Sequence, residues 1–163
     1  MNKLFHTTLV GFIFSGAIIT ASIAQSEQIE TNKAVVKKYF EEAVNQRKVE
    51  LVDELFDVAY LSVLLDAGGK EGRGTEPLKN FLPYLFEAFP DIHFQLEHLV
   101  AEGDKVVAHS KTTGTHKSEF WGYPASNNLL EIHEIFIFTL KEGKIISGHR
   151  LTDMKNLHDQ LSK

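Results

Sequence analysis

Apolar positions recur at helical spacing in the first half of the chain and with a period of two in the second. Val36, Phe40 and Val44 return every fourth residue, and Val35, Tyr39 and Ala43 widen the stripe. This predicts a helix over 31–45, N-capped by Thr31, with one broad face on a large core. Leu51, Val52, Leu55 and Phe56 inward, with Asp53 and Glu54 outward, predict a short helix over 49–56. Residues 58–65 read as a short strand. The following AGGKEGRG holds four glycines in eight residues and reads as a mobile surface loop. Thr75 starts another helix, with Glu76 and Pro77 in its first turn and Pro90-Asp91 ending it after Phe89. Pro83 inside that helix removes a backbone hydrogen bond, so a kink or an early break is expected there.

From Ile92 the apolar positions alternate, which predicts strands over 92–101, 105–116, 129–140 and 144–152. Glu102-Gly103-Asp104 and Lys141-Glu142-Gly143 supply hairpin turns. Helices followed by strands argue for an α+β layer built on an antiparallel sheet, not for parallel crossovers. The strand over 129–140 is apolar on both parities, Ile132, Phe136 and Phe138 on one and Ile135 and Ile137 on the other. Both of its faces are therefore expected to be covered, one by helices and one by a partner subunit or another part of the chain.

The first residues change this picture. Lys3, the apolar run from Leu9 to Ile19 and the small residues around Ser22-Ile23-Ala24 read as a signal peptide over 1–24. The run is shorter than the roughly 20 residues that span a bilayer. The expectation is an exported protein, periplasmic or secreted, with no membrane segment once the leader is gone. Residues 25–163 then suit one domain. The chain is acidic, with 17 Lys and Arg against 22 Asp and Glu, and losing the leader removes only a positive charge. A nucleic-acid partner is not expected. The absence of Cys excludes disulfides, thiolate metal sites and cysteine nucleophiles.

Candidate chemistry gathers near the end of the sheet. Asp153 closes the last strand, and alternation puts His149 and Leu151 on its face, with Arg150 and Thr152 on the other. Asp153 is a candidate general acid/base, with His149 as a relay. Its alternative role is to cap a helix starting near Met154. Glu134 shares a parity with Phe136 and Phe138, whereas His133 shares one with Ile135 and Ile137. Whichever face points into the core buries a proton-transfer candidate. The eight His residues form no i, i+4 pair and no recognisable ligand cluster, and His93 and His98 sit at opposite parity unless a bulge intervenes. No metal and no cofactor is expected. AGGKEGRG lacks the context of a phosphate loop.

Three stretches carry a resemblance: VVKKYFEEAVNQRKVELVDELF, LKNFLPYLFEAFPDIHFQLEHLVAEGDKVVAHSKTTGTHKSEFWGYPAS and IFIFTLKEGKIISGHRLTDMKNLHDQL. With the FPD turn, the AEGDKVVA and EGKI hairpins and the GTH-x-x-EF-x-G-x-P loop, the chain resembles the SnoaL-like polyketide cyclases of the nuclear-transport-factor-2-like superfamily. The resemblance implies a cone of helices packed in the concave face of a curved antiparallel sheet, commonly dimeric. It also implies a pocket for a small apolar molecule, and cofactor-free acid/base chemistry of the aldol cyclase or isomerase kind at Asp153. Tyr60, Val63, Leu82, Phe86, Phe136 and Phe138 are the expected pocket residues, with Trp121 and Tyr123 as a lid or as an aromatic loop packed on the sheet or a dimer interface. Val63, Phe136 and Gly148 replace more polar groups of relatives. Two functions remain open, an acid/base enzyme and a non-catalytic binding or dimeric interaction module.

Overall fold

The computed structural model describes residues 9–162, with side chains from residue 22 onward. Helix α1 (Leu9–Lys38) runs without a break into a π-helical segment over Tyr39–Val44. Thr31 is therefore not a cap. It lies in mid-helix and its hydroxyl donates to the Glu27 carbonyl at 2.9 Å. The wider π turn, closed by Asn45 N–H to the Phe40 carbonyl at 2.9 Å, brings Tyr39, Phe40, Ala43 and Val44 all into the core. The expected leader falls on α1 and on residues 1–8, which lie outside the described residues. Among the described residues no helix is long and apolar enough to cross a membrane.

Helix α2 (Leu51–Leu55) leads into strand β1 (Phe56–Leu64), and the glycine-rich stretch expected as a loop contains β2 (Lys70–Arg73). Gly68 and Gly69, both at positive φ, turn the chain back so that β2 pairs antiparallel with β1. Helix α3 (Glu76–Ala88) continues through Pro83. Pro83 is on the exposed side, where water can take the carbonyl it leaves free. Strands β3 (His93–Glu102), β4 (Lys105–Thr115), β5 (Leu129–Lys141) and β6 (Lys144–Thr152) come next, and α4 (Met154–Leu161) ends the fold.

The six strands form one curved, mostly antiparallel sheet in the order β2-β1-β6-β5-β4-β3. The β1 and β6 pair is parallel, an arrangement that the run of helices before strands does not reveal. The inner face carries Val106, Ala108, Ser110 and Thr112 of β4 and Ile132, Glu134, Phe136 and Phe138 of β5, all buried under the helices. Phe40 stands at the centre, with the rings of Tyr39, Phe94 and Phe136 between 5.0 and 5.9 Å away. The opposite face is open in this chain. Ile135 is 42% exposed and Leu151 46%, so no other described part of the chain covers that face, and of the two expected covers only the partner subunit is left.

Asn45, just past the π turn, ties the first helix to edge strand β3. Its amide donates to the Phe94 carbonyl and accepts from the Phe94 N–H, both at 2.9 Å. Asn45→Ala is expected to lower stability by about 1 kcal/mol, because water can reach an edge strand and replace part of what is lost. Urea unfolding of the two proteins measures it.

Candidate functional site

Between α3, the π segment and the inner face of the sheet lies a cavity of about 310 Å³. Its wall is mostly carbon: Val44 from the π segment, Leu78, Phe81, Leu82 and Leu85 from α3, and Phe136 and Phe138 from β5. The polar groups are few. Tyr39 and Tyr60 present phenols, and Arg150 of β6 presents a guanidinium. Arg150 is opposite Phe136 in the β5–β6 register, so alternation aims it inward together with Gly148 and Thr152.

The Arg150 side chain makes no hydrogen bond or ion pair among the described residues. Its Nε is buried without a partner, and its guanidinium lies over the Phe81 ring at 5.8 Å. A ring face offers a cation some attraction but no acceptor for its N–H groups. Burial pushes the Tyr60 phenol up to about 12, with the Arg150 charge pulling the other way. Burial likewise pushes the Tyr39 phenol far above its ordinary range, with Tyr60 adding to the rise and Arg150 opposing it. Both phenols are O–H donors at neutral pH, and neither has a hydrogen-bond partner among the described residues. A fixed cation and two donors in a carbon-lined space are suited to an anionic or carbonyl oxygen on an otherwise apolar molecule.

Gly148 shapes the same wall. A Cβ there would stand 2.5 Å from the Tyr60 hydroxyl and 3.1 Å from Cδ1 and Cε1 of Phe138. The space that glycine leaves on β6 is thus filled by a phenol reaching in from β1.

A small chamber of about 40 Å³ adjoins the main cavity and shares Phe81, Leu85, Phe94, Trp121 and Arg150 with it. Glu134 lies on its wall, 4% exposed, and accepts from the hydroxyls of Thr112 at 2.9 Å and Thr152 at 3.0 Å. It is the one buried carboxylate among the described residues.

Residues 34–161 match the family model for SnoaL-like polyketide cyclases. The chain belongs to that family. Similar solved structures include one provisionally described as a SnoaL-like polyketide cyclase from Jannaschia sp. CCS1, 25% identical, with a TM-score of 0.75 over 82% of this chain and 92% of that one. Another, provisionally described as a polyketide cyclase from Bacillus cereus ATCC 10987, is 28% identical, with a TM-score of 0.65 over 78% and 77% of the two chains. IdmH from Streptomyces antibioticus, 22% identical with a TM-score of 0.71 over 81% and 99%, shares the fold. A search among curated proteins found no significant match.

Within this SnoaL-like chain the expected site residues separate. Tyr60, Val63, Leu82, Trp121, Phe136 and Phe138 all line the cavity, whereas Phe86 does not: it is buried under the Arg47 guanidinium, 5.2 Å from its ring. Phe120 and Tyr123 exchange two backbone hydrogen bonds at 3.0 Å across Trp121 and Gly122. Positive φ at both central residues makes a tight turn that holds the indole at the cavity, with the Trp121 backbone N–H donating to the Tyr84 hydroxyl at 2.7 Å.

The phenylalanine parity of β5 faces inward, which buries Glu134 and leaves His133 on the outer face, half exposed. His149 pairs with Ile137 on the outer parity and borders the cavity from that side of β6. Asp153 is exposed and lines neither cavity. Its Oδ1 accepts from the Asn156 N–H at 3.2 Å, which caps α4. The capping alternative thus describes its contacts, and Leu151 and Asp153 turn away from the cavity that His149 borders. Asp153→Ala is expected to cost about 1 kcal/mol and Asp153→Asn almost nothing, since Asn caps as well as Asp. Thermal melts of the two variants check this.

Sequence reasoning misses the Tyr39 phenol, read only as part of a helical stripe, and above all Arg150. Strict alternation puts it on the face opposite His149. Alternation does not say which face is concave.

Proposed function

We propose that this SnoaL-like protein binds a small, largely apolar molecule carrying an anionic or carbonyl oxygen, with that oxygen on Arg150 and the phenols of Tyr60 and Tyr39. The single observation behind this reading is a guanidinium without a hydrogen-bonding partner inside a 310 Å³ carbon-lined cavity. Leaving such a donor unpaired is costly, and a ligand oxygen removes the cost. An open cavity of this size also argues against an interaction module whose cone is filled by its own side chains.

Cofactor-free proton transfer of the cyclase or isomerase kind is compatible with the same arrangement. Arg150 and Tyr60 would hold an enolate oxygen, and Glu134, in the adjoining chamber, would move the proton on carbon. A non-catalytic binding role is the second reading, favoured by the position of Asp153, which is spent on a helix cap outside the cavity.

A paired-probe thermal shift tests the binding proposal. Naphthalene-2-carboxylate is expected to raise the melting temperature in a saturable way, and 2-methylnaphthalene, which lacks the oxygens, much less. Equal shifts from the two probes would contradict a role for the oxygen site.

Export remains a proposal, supported by the basic and apolar start of the chain and by a family match that begins at residue 34; N-terminal sequencing of the protein recovered outside the cytoplasm tests it. Association of two copies is likewise proposed, supported by exposed Val100, Ile135 and Leu151 on the outer face, and is tested by sedimentation equilibrium.

A further inference from the structure

On the outer face, behind the cavity, three strands bring together side chains far apart in sequence. Glu97 of β3, His109 of β4 and His133 of β5 each offer a ligand atom, all within 4.8 Å of one another. The register explains how. Leu96 pairs with Ser110 and His98 with His109, so Glu97 is the extra residue of a β-bulge. Leu96 faces inward with Ser110, so alternation turns Glu97 outward, and the bulge, which sets two residues against one and reverses the parity beyond it, brings His98 onto the same face, the one that carries His109. His133 pairs with Lys111, two residues along β4 from His109 and on the same face.

The three side chains stand close enough for rotation to bring one donor from each onto a common cation. His109 Nε2 is 3.1 Å from His133 Nδ1, and the Glu97 carboxylate is 3.6 Å from His109 Nδ1 and 3.7 Å from His133 Nδ1. Around a tetrahedral cation with bonds of about 2.0–2.2 Å, donors stand roughly 3.3 Å apart; a cation takes only one His109 nitrogen, and with one donor from each residue the set lies within 4.8 Å, so closure needs side-chain rotations that move the widest pair by roughly 1.5 Å. The three side chains are between 29% and 50% exposed, which leaves a route in from solvent. Lys111, on the same face, makes its ion pair with Glu131 at 2.8 Å and feels Glu97 only as a weaker, longer-range charge. The His98 ring is 5.5 Å from that of His109 and offers a further imidazole.

We infer that Glu97, His109 and His133 form a site for a divalent transition-metal cation of the zinc class. Two imidazoles and one carboxylate match that class, whereas Mg²⁺ and Ca²⁺ need mostly oxygen donors. The remaining coordination position goes to water or to His98. The cation joins β3, β4 and β5 across the face opposite the cavity, and where two copies meet through this face it lies in the seam.

The test uses the full chain, purified without a histidine tag and stripped of metal with a chelator. Calorimetric titration with Zn²⁺ is expected to show one ion bound per chain with a dissociation constant in the micromolar range or below, and no heat with Mg²⁺ or Ca²⁺. Glu97→Gln and His133→Gln, both at partly exposed positions, should each weaken Zn²⁺ by roughly tenfold or more, and His158→Gln, on α4, should not. Co²⁺ should give the visible bands of a low-coordinate site, absent from both variants. Absence of saturable Zn²⁺ binding, affinity unchanged in either variant, or an equal loss in His158→Gln would overturn the site.

Discussion

Arg150→Met binds an oxygen-bearing apolar ligand about 10- to 100-fold more weakly than the natural chain, and it is also the more stable of the two. The two effects have one origin. A hydrogen bond to a charged group contributes about 1.5–3 kcal/mol, and the Arg150 Nε has no partner until a ligand supplies one. Methionine removes the unpaired donor while keeping an unbranched chain against Phe81, so stability should rise by about 1 kcal/mol, a gain of roughly 3 °C in melting temperature for a chain of this size. Side chains that weaken the fold for the sake of the site are expected where a protein binds or reacts. Calorimetry with naphthalene-2-carboxylate and thermal melts of both proteins measure the pair of changes. A loss of binding together with a loss of stability would make Arg150 a structural residue.

Gly148→Ala should destabilise the protein by about 2 kcal/mol, through crowding in the cavity wall. The added methyl meets the Tyr60 hydroxyl at 2.5 Å and the Phe138 ring at 3.1 Å, and neither can step aside easily. Tyr60 is 7% exposed, with its ring edge-on to Phe56 at 4.8 Å, and Phe138 is stacked on Phe136 at 5.9 Å. Overpacking of this kind costs typically about 1–3 kcal/mol. The cause is separable, because Tyr60→Phe removes the closer atom. The double variant Tyr60→Phe, Gly148→Ala should recover part of the loss, while Tyr60→Phe alone weakens the ligand by removing a donor. Urea unfolding of the four proteins gives the coupling. Additive effects would show that Tyr60 does not fill the place that Gly148 leaves.

Most of the fold is legible because its elements are locally coded. Four strands of alternating residues, their two glycine turns and the Thr75 to Phe89 helix appear within a residue or so of where the patterns put them. The misreadings have physical reasons. Thr31 has the side chain of a cap but sits inside a longer helix, since a threonine hydroxyl can also bond back to the carbonyl four residues earlier. AGGKEGRG hides a strand because glycine carries no apolar pattern to read.

The candidate site is legible in composition but not in orientation. The aromatic wall can be read from periodicity. Whether Glu134 or His133 is inside depends on which face of β5 meets the helices, a tertiary fact. The metal-ligating cluster depends on the pairing and register of three strands, and the further imidazole of His98 on a one-residue bulge at Glu97, neither of which alternation alone reveals. Gly148 is legible only as a loss; that the Tyr60 hydroxyl fills its place depends on the register of β1 against β6.

The Arg150 Nε–H is itself an observable. In a proton–nitrogen NMR titration with naphthalene-2-carboxylate, the Arg150 Nε–H resonance should move progressively and saturate at one ligand per chain, with the shift lost in Arg150→Met. A ligand that binds while this resonance stays in place would contradict the oxygen site on Arg150.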